Sequence, residues 1–266
     1  MIPAEHNEAL PTSRAGIMVI TLLMTHCAPS VEPRTTLPDR FSEGRRIVEQ
    51  AVEAHGGMDR WTRFTKLTVD YREHWSWPFT WLRKNPWPWN DVHATLRFWL
   101  HEARAEVTFE GQPNQTWVYR DGKVSLLGLP AKSLPHWRPD FVMPRTHYLT
   151  LLPFKFLDSG AHLEYLGKRP IAGQEFDEVL VTFETNVGST PGDKYWALFD
   201  PDRGRLTRLS LTVTAYGRLA VGEIIYEDFR EVQGVLLASR LRGYWKAAGA
   251  NWPLHLGTYS EPLFQE

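Results

Sequence analysis

The chain has 266 residues, a formal net charge of −1 and a pI near 6.8, with no block of Lys or Arg, so the basic footprint of a nucleic-acid binder is missing. Aromatic residues make up 13% of it, 12 of them tryptophans, and that much flat apolar surface has to be buried or put to use. A single cysteine excludes any disulfide within the chain.

An apolar run from Ala15 to Met24 opens the chain, half the ~20 residues that cross a bilayer but within the ~7 to 15 of a secretory h-region. Cys27 stands just behind it. The arrangement resembles a bacterial lipoprotein signal peptide, in which the leader is cut before a cysteine that carries a diacylglycerol. The resemblance implies a signal peptide over 1–26, lipid attachment at Cys27, and a place in the cell envelope, on its periplasmic side and anchored to a membrane such as the outer membrane. A plain leader and a buried structural cysteine are the other readings. Ala28 to Pro38 holds three prolines and no apolar periodicity, which suits an extended tether over 27–38. The length from Asp39 to 266 then fits one large all-β domain, with no internal linker to divide it.

That domain opens on a helix: Asp39 or Ser42 can cap it, Phe41, Ile47, Val48, Ala51 and Val52 recur at helical spacing, and Gly56-Gly57 stops it. Strict alternation follows. Leu67, Val69, Tyr71 and Trp75 share one face of a strand, with Thr68, Asp70, Arg72 and His74 on the other. Ala94, Leu96, Phe98 and Leu100, then Ala105, Val107 and Phe109, repeat the pattern. Asp121-Gly122 signals a two-residue type I′ hairpin. Val179, Val181 and Phe183 alternate again, and Asp200-Pro201-Asp202-Arg203-Gly204 turns one later strand into the next. From Asp140 to Phe156, Phe141, Val142, Tyr148, Leu149 and Leu152 suit a helical piece broken at Pro144 and Pro153. The sum is mainly β (α+β): a large curved antiparallel sheet of about ten strands, wound as a meander into an unclosed barrel and covered by two helical segments.

Several stretches carry a second resemblance. Ala54-His55-Gly56-Gly57-Met58-Asp59-Arg60-Trp61, Leu152 to Asp158, Leu163 to Gly167, and Phe199-Asp200-Pro201 before Gly204-Arg205-Leu206 look like the corresponding turns of uncharacterised bacterial lipoproteins with the LolA/LolB-like fold, across roughly residues 45 to 245. The resemblance implies an open antiparallel barrel around helices whose apolar concave face holds acyl chains, with lipid or acylated protein as partner and the membrane surface reached through the lipid anchor. It carries no catalytic residue and no cofactor.

Trp75, Trp77, Trp81, Trp87, Trp89 and Trp99 crowd around Pro78, Pro86 and Pro88, so the middle of this segment is a long aromatic loop. It reads as a plug folded onto the barrel mouth, since six exposed indoles would be an aggregation liability. The alternative, which Arg83-Lys84 keeps open, is a rim facing a membrane or gripping an apolar or sugar ligand. Inward alternation nominates Tyr71, Trp75, Phe98, Phe109 and Phe183 as ligand contacts, with Phe141 and Tyr148 from the second helical piece. Enzyme motifs are absent: there is no Walker loop, no Gly-x-Ser-x-Gly elbow and no His-Glu-x-x-His. His93 and His101 share a strand face but lie roughly 26 Å apart at about 3.3 Å per residue, too far to ligate one metal. Three readings stay open: a lipid-binding envelope protein, a structural one with a filled barrel, and a hydrolase with a polar pocket at the mouth.

Overall fold

The computed structural model describes residues 39–77, 79–82, 85–128, 138–184, 192–217, 220–247 and 250–266. The leader, Cys27, the tether and Arg83-Lys84 lie outside these residues.

Twelve strands form one antiparallel sheet: β1 (Lys66–Trp75), β2 (Asp91–Trp99), β3 (Arg104–Phe109), β4 (Thr116–Arg120), β5 (Lys123–Leu127), β6 (Ala161–Ile171), β7 (Gln174–Phe183), β8 (Tyr195–Asp200), β9 (Arg205–Thr212), β10 (Val221–Val232), β11 (Val235–Ala247) and β12 (Ala250–Gln265). Their spatial order is β5-β4-β3-β2-β1-β12-β11-β10-β9-β8-β7-β6. The sheet is open, with β5 and β6 at its edges. It is therefore two meanders, β1 to β5 and β6 to β12, sewn together where the first strand meets the last. That seam runs from Lys66↔Gln265 to Trp75↔His255. Alternation predicts about ten strands and undercounts chiefly because of β6, where Leu163 alone is fully buried and no period-two signal survives.

The Asp121-Gly122 turn forms as its residues demand, with φ of 48° and 78° at the two positions. The Asp200 turn is likewise a β-turn: Asp200 Oδ1 accepts the backbone N–H groups of Asp202 and Arg203.

Three helices lie on the concave side: α1 (Arg40–Ala54), α2 (Met58–Trp61) and α3 (Pro139–Thr150). Helix α1 buries Gly44, Ile47, Val48, Ala51 and Val52 and packs mainly on β6. Phe41 corrects the expected stripe: it is in phase with Val48 one heptad on, but it sits in the first turn, ahead of the contact that starts at Gly44, and is 61% exposed. Asp39 occupies the N-cap position without a side-chain cap bond.

Pro144 does not break α3, contrary to expectation. The missing N–H costs one helical bond, but Phe141, Val142, Met143, Thr146, His147, Tyr148 and Leu149 are all buried around it, and this packing carries the helix through. Pro153 does mark a break, and a 3₁₀ turn (Phe154–Leu157) follows it. Side chains fasten α3 across the concave face: His147 Nε2 donates to the Trp99 carbonyl at 2.9 Å, Thr150 Oγ1 to Tyr259 Oη at 3.0 Å, and Tyr226 Oη to the Leu149 carbonyl at 3.2 Å. The core fills the space between helices and sheet.

Candidate functional site: an apolar cavity with a charged floor

The connection between β1 and β2 is the aromatic loop, and it divides its indoles between two environments. Trp87 is fully buried, stacked on Trp117 at 5.5 Å, with its N–H donated to Glu73 Oε2. Trp75 is buried too, whereas Trp77 and Trp81 are 75% and 72% exposed. The loop thus plugs the sheet with Trp87, presents Trp77 and Trp81 to solvent, and leaves Trp89 38% exposed with one edge against Phe109.

Beneath Phe79 and Leu82 of this loop lies a cavity of about 280 Å³. Its walls are Trp75 of β1, Phe141 and Arg145 of α3, Leu211 and Val213, Tyr216, Gly222 and Ile224 of β10, Tyr244 and Trp245 of β11, and Leu254 and His255 of β12. At the roughly 30 Å³ a water occupies in the liquid, it holds about nine water-sized groups. A second void of about 20 Å³, lined by Phe141, Arg145, Tyr148, Phe183 and Tyr195 among others, adjoins it through shared residues.

The floor is ionic. Glu73 is inward on β1, between Tyr71 and Trp75, with a fully buried side chain. His255 Nδ1 lies 2.8 Å from Glu73 Oε1, although the pair is not aligned as a hydrogen bond. Arg145 reaches down from α3, with Nη1 3.2 Å from His255 Nε2 and Nη2 3.6 Å from Glu73 Oε1. Because guanidinium only donates, His255 Nε2 must accept, and the ring proton belongs on Nδ1, toward Glu73. Burial works to raise the Glu73 pKa, but the proton-bearing Nδ1 edge of His255 and the Arg145 guanidinium outweigh it and hold the carboxyl below its ordinary range. Burial pushes His255 down, toward the neutral ring. The cluster is thus one carboxylate, one guanidinium and a neutral imidazole, whose charges cancel. Trp75 stacks on His255 at 4.9 Å, and Gly243 makes room for that ring, since a Cβ there would fall 2.2 Å from His255 Nε2.

A Glu–His pair suggests nucleophilic chemistry, but His255 Nε2 faces Arg145 where a triad would place a hydroxyl or thiol. Among the described residues no group of three His, Cys, Asp or Glu side chains is placed to hold a metal.

Of the aromatics nominated from sequence, Trp75 and Phe141 line the large cavity, and Phe141, Tyr148 and Phe183 line the small void. Tyr71 lies below, tilted on Tyr259 at 5.1 Å and on Trp87 at 6.2 Å. Phe98 packs on His147 and Phe109 on Trp117, in the core away from both spaces. Glu73, Arg145 and His255 escape the sequence reading. A signal for Glu73 does exist: it shares strand parity with Tyr71 and Trp75.

An open antiparallel sheet wrapped around helices is the LolA-like fold. Solved structures similar to this chain include a LolA superfamily protein from Nitrosomonas europaea, at 13% identity and a TM-score of 0.52 over 84% of this chain and 94% of that one. A domain from Vibrio parahaemolyticus, named for outer membrane lipoprotein sorting, matches at 10% identity and 0.50, over 84% and 93%. A DUF1329 family protein from Desulfovibrio piger matches at 10% and 0.52, over 85% and 94%. At these identities the likeness is one of fold. No protein-family model and no curated protein matches the sequence.

Proposed function

We propose that this is a lipid-binding protein of the cell envelope that holds one acyl chain, free or attached to a protein, in the cavity under the aromatic loop. The observation that carries the reading is the cavity itself: about 280 Å³, apolar on nearly every wall, inside a fold whose solved examples include a lipoprotein-sorting domain. Size limits the cargo. The enclosed part suits a chain of about nine CH₂ groups rather than sixteen, with a gain of roughly 7 kcal/mol before the costs of association. A filled barrel is the weaker reading, because the space is there; a hydrolase is weaker too, because the ionic floor offers no nucleophile.

In the same reading, residues 1–26 are the leader, Cys27 the lipid-bearing residue, 27–38 the tether and 39–266 the single ligand-binding domain, held at a membrane where apolar cargo is found.

Gly222 supplies the test. An added Cβ there meets nothing closer than 3.5 Å, and because Gly222 lines the cavity a larger side chain at this position is directed into it. Gly222→Leu is expected to weaken binding of a fluorescent fatty-acid probe at least tenfold while the melting temperature stays within a few degrees of the parent. Equal probe affinity in parent and variant would sink the proposal.

A further inference from the structure

Arg145 is the one charged side chain among the described residues lining the large cavity; Glu73 sits behind it and does not reach the wall. A guanidinium has five N–H donors and no acceptor. Here Nη1 meets His255 Nε2, Nη2 stands 3.6 Å from Glu73, and the Nε N–H is buried with no hydrogen-bond partner. Trp75, on the same wall, also leaves its indole N–H without an acceptor. In the cluster the unmet donors, Arg145 Nε, Trp75 Nε1 and His255 Nδ1, outnumber the one unmet acceptor, Glu73 Oε1, and of the charged groups it is the donor-only guanidinium that reaches the cavity wall. A guanidinium on the wall can offer an entering group nothing but N–H donors, so the group that completes this floor is one that accepts.

We infer that the ligand's polar end is a carbonyl, that of a fatty acid or an acyl ester, seated on Arg145 with its chain running up under Phe79 and Leu82. The inference rests on the acyl-chain reading and adds its chemical class. A cationic head is disfavoured twice, by charge against Arg145 and by bringing donors to a wall whose charged group is itself donor-only. The two carbonyl sources differ in charge. A carboxylate arriving beside Glu73 leaves the cluster one negative charge in excess unless a proton accompanies it, whereas an ester leaves it neutral.

The experiment is calorimetric titration of the full chain with three ten-carbon probes below their micellar concentrations: decanoic acid, methyl decanoate and decylammonium. The expected result is that at least one carbonyl probe binds tenfold or more tighter than decylammonium, and the tighter of the two identifies the source. In Arg145→Gln that gap is expected to close to within threefold. Decylammonium binding as tightly as both carbonyl probes overturns the head-group inference and leaves the cavity reading standing. Binding of none of the three overturns the cavity reading itself. If Arg145→Gln does not fold, the comparison in the parent protein decides alone.

Discussion

Glu73 shows what a single residue can hide. In the β1 pattern it is a charge on the apolar parity, flanked by Tyr71 and Trp75, and its counter-groups come from α3 and β12, which no local pattern connects to it. The aromatic neighbours were legible from alternation because hydrophobic burial follows strand parity; the ion cluster was not, because it depends on tertiary pairing. Buried histidines give this scale a measurable signature. Burial pushes His55 and His147 down to about 4 each, below the ordinary 6.5. A depressed folded pKa stabilises the fold above pH 6.5 and loses that contribution as pH falls from 6.5 toward 4, because the unfolded chain takes up the proton first. Each contributes roughly 3 kcal/mol over that window. The urea midpoint is expected to fall between pH 7.5 and pH 4.5, and His147→Gln, which keeps a donor for the Trp99 carbonyl, to flatten that fall by about one histidine's share. An unchanged slope in the variant would contradict the assignment.

Among the elements, α1 has the most specific contact. Gly44 sits where a Cβ would lie 2.6 Å from the Leu163 carbonyl oxygen, so the helix touches the β6 backbone directly. Propensity favours Ala over Gly in a helix interior by about 1 kcal/mol, while overpacking costs about 1 to 3 kcal/mol. Backbone cannot yield as a side chain can, and the second effect is expected to win. Gly44→Ala should lower the thermal midpoint by several degrees, and a rise would show that the helix can lift off the sheet freely. This contact is not legible in sequence, because helical spacing around Gly44 says nothing of the β6 backbone that lies against it. The helix itself was, from its apolar spacing, as were the Asp121-Gly122 hairpin and the alternating strands. Pro144 misled for the opposite reason: the local rule was sound, but burial on most of α3 overrode it.

At the scale of the whole molecule, the fold class was legible because many strands with short turns leave few alternatives to an antiparallel sheet. The cavity was not, because alternation shows which residues point inward and never how tightly they fill the space. The proposed anchor belongs to this scale as well. Cys27→Ser is expected to abolish incorporation of radiolabelled palmitate in cells, with retention at the membrane falling in parallel; label equal to the parent would remove Cys27 as the attachment point.

The seam between β1 and β12 has a consequence for how the molecule is made. Thr65 and Gln265, 200 positions apart, hydrogen-bond at its end, so it joins the most distant parts of the domain. Such closures are slow beside local hairpins, and until this one forms each meander bears a bare strand edge that invites stray pairing. Trp75 belongs to one meander, and Ile224, Trp245 and His255 to the other. Neither half lines the cavity alone, so the cavity exists only once the two meanders are joined, and its presence reports that the seam has closed.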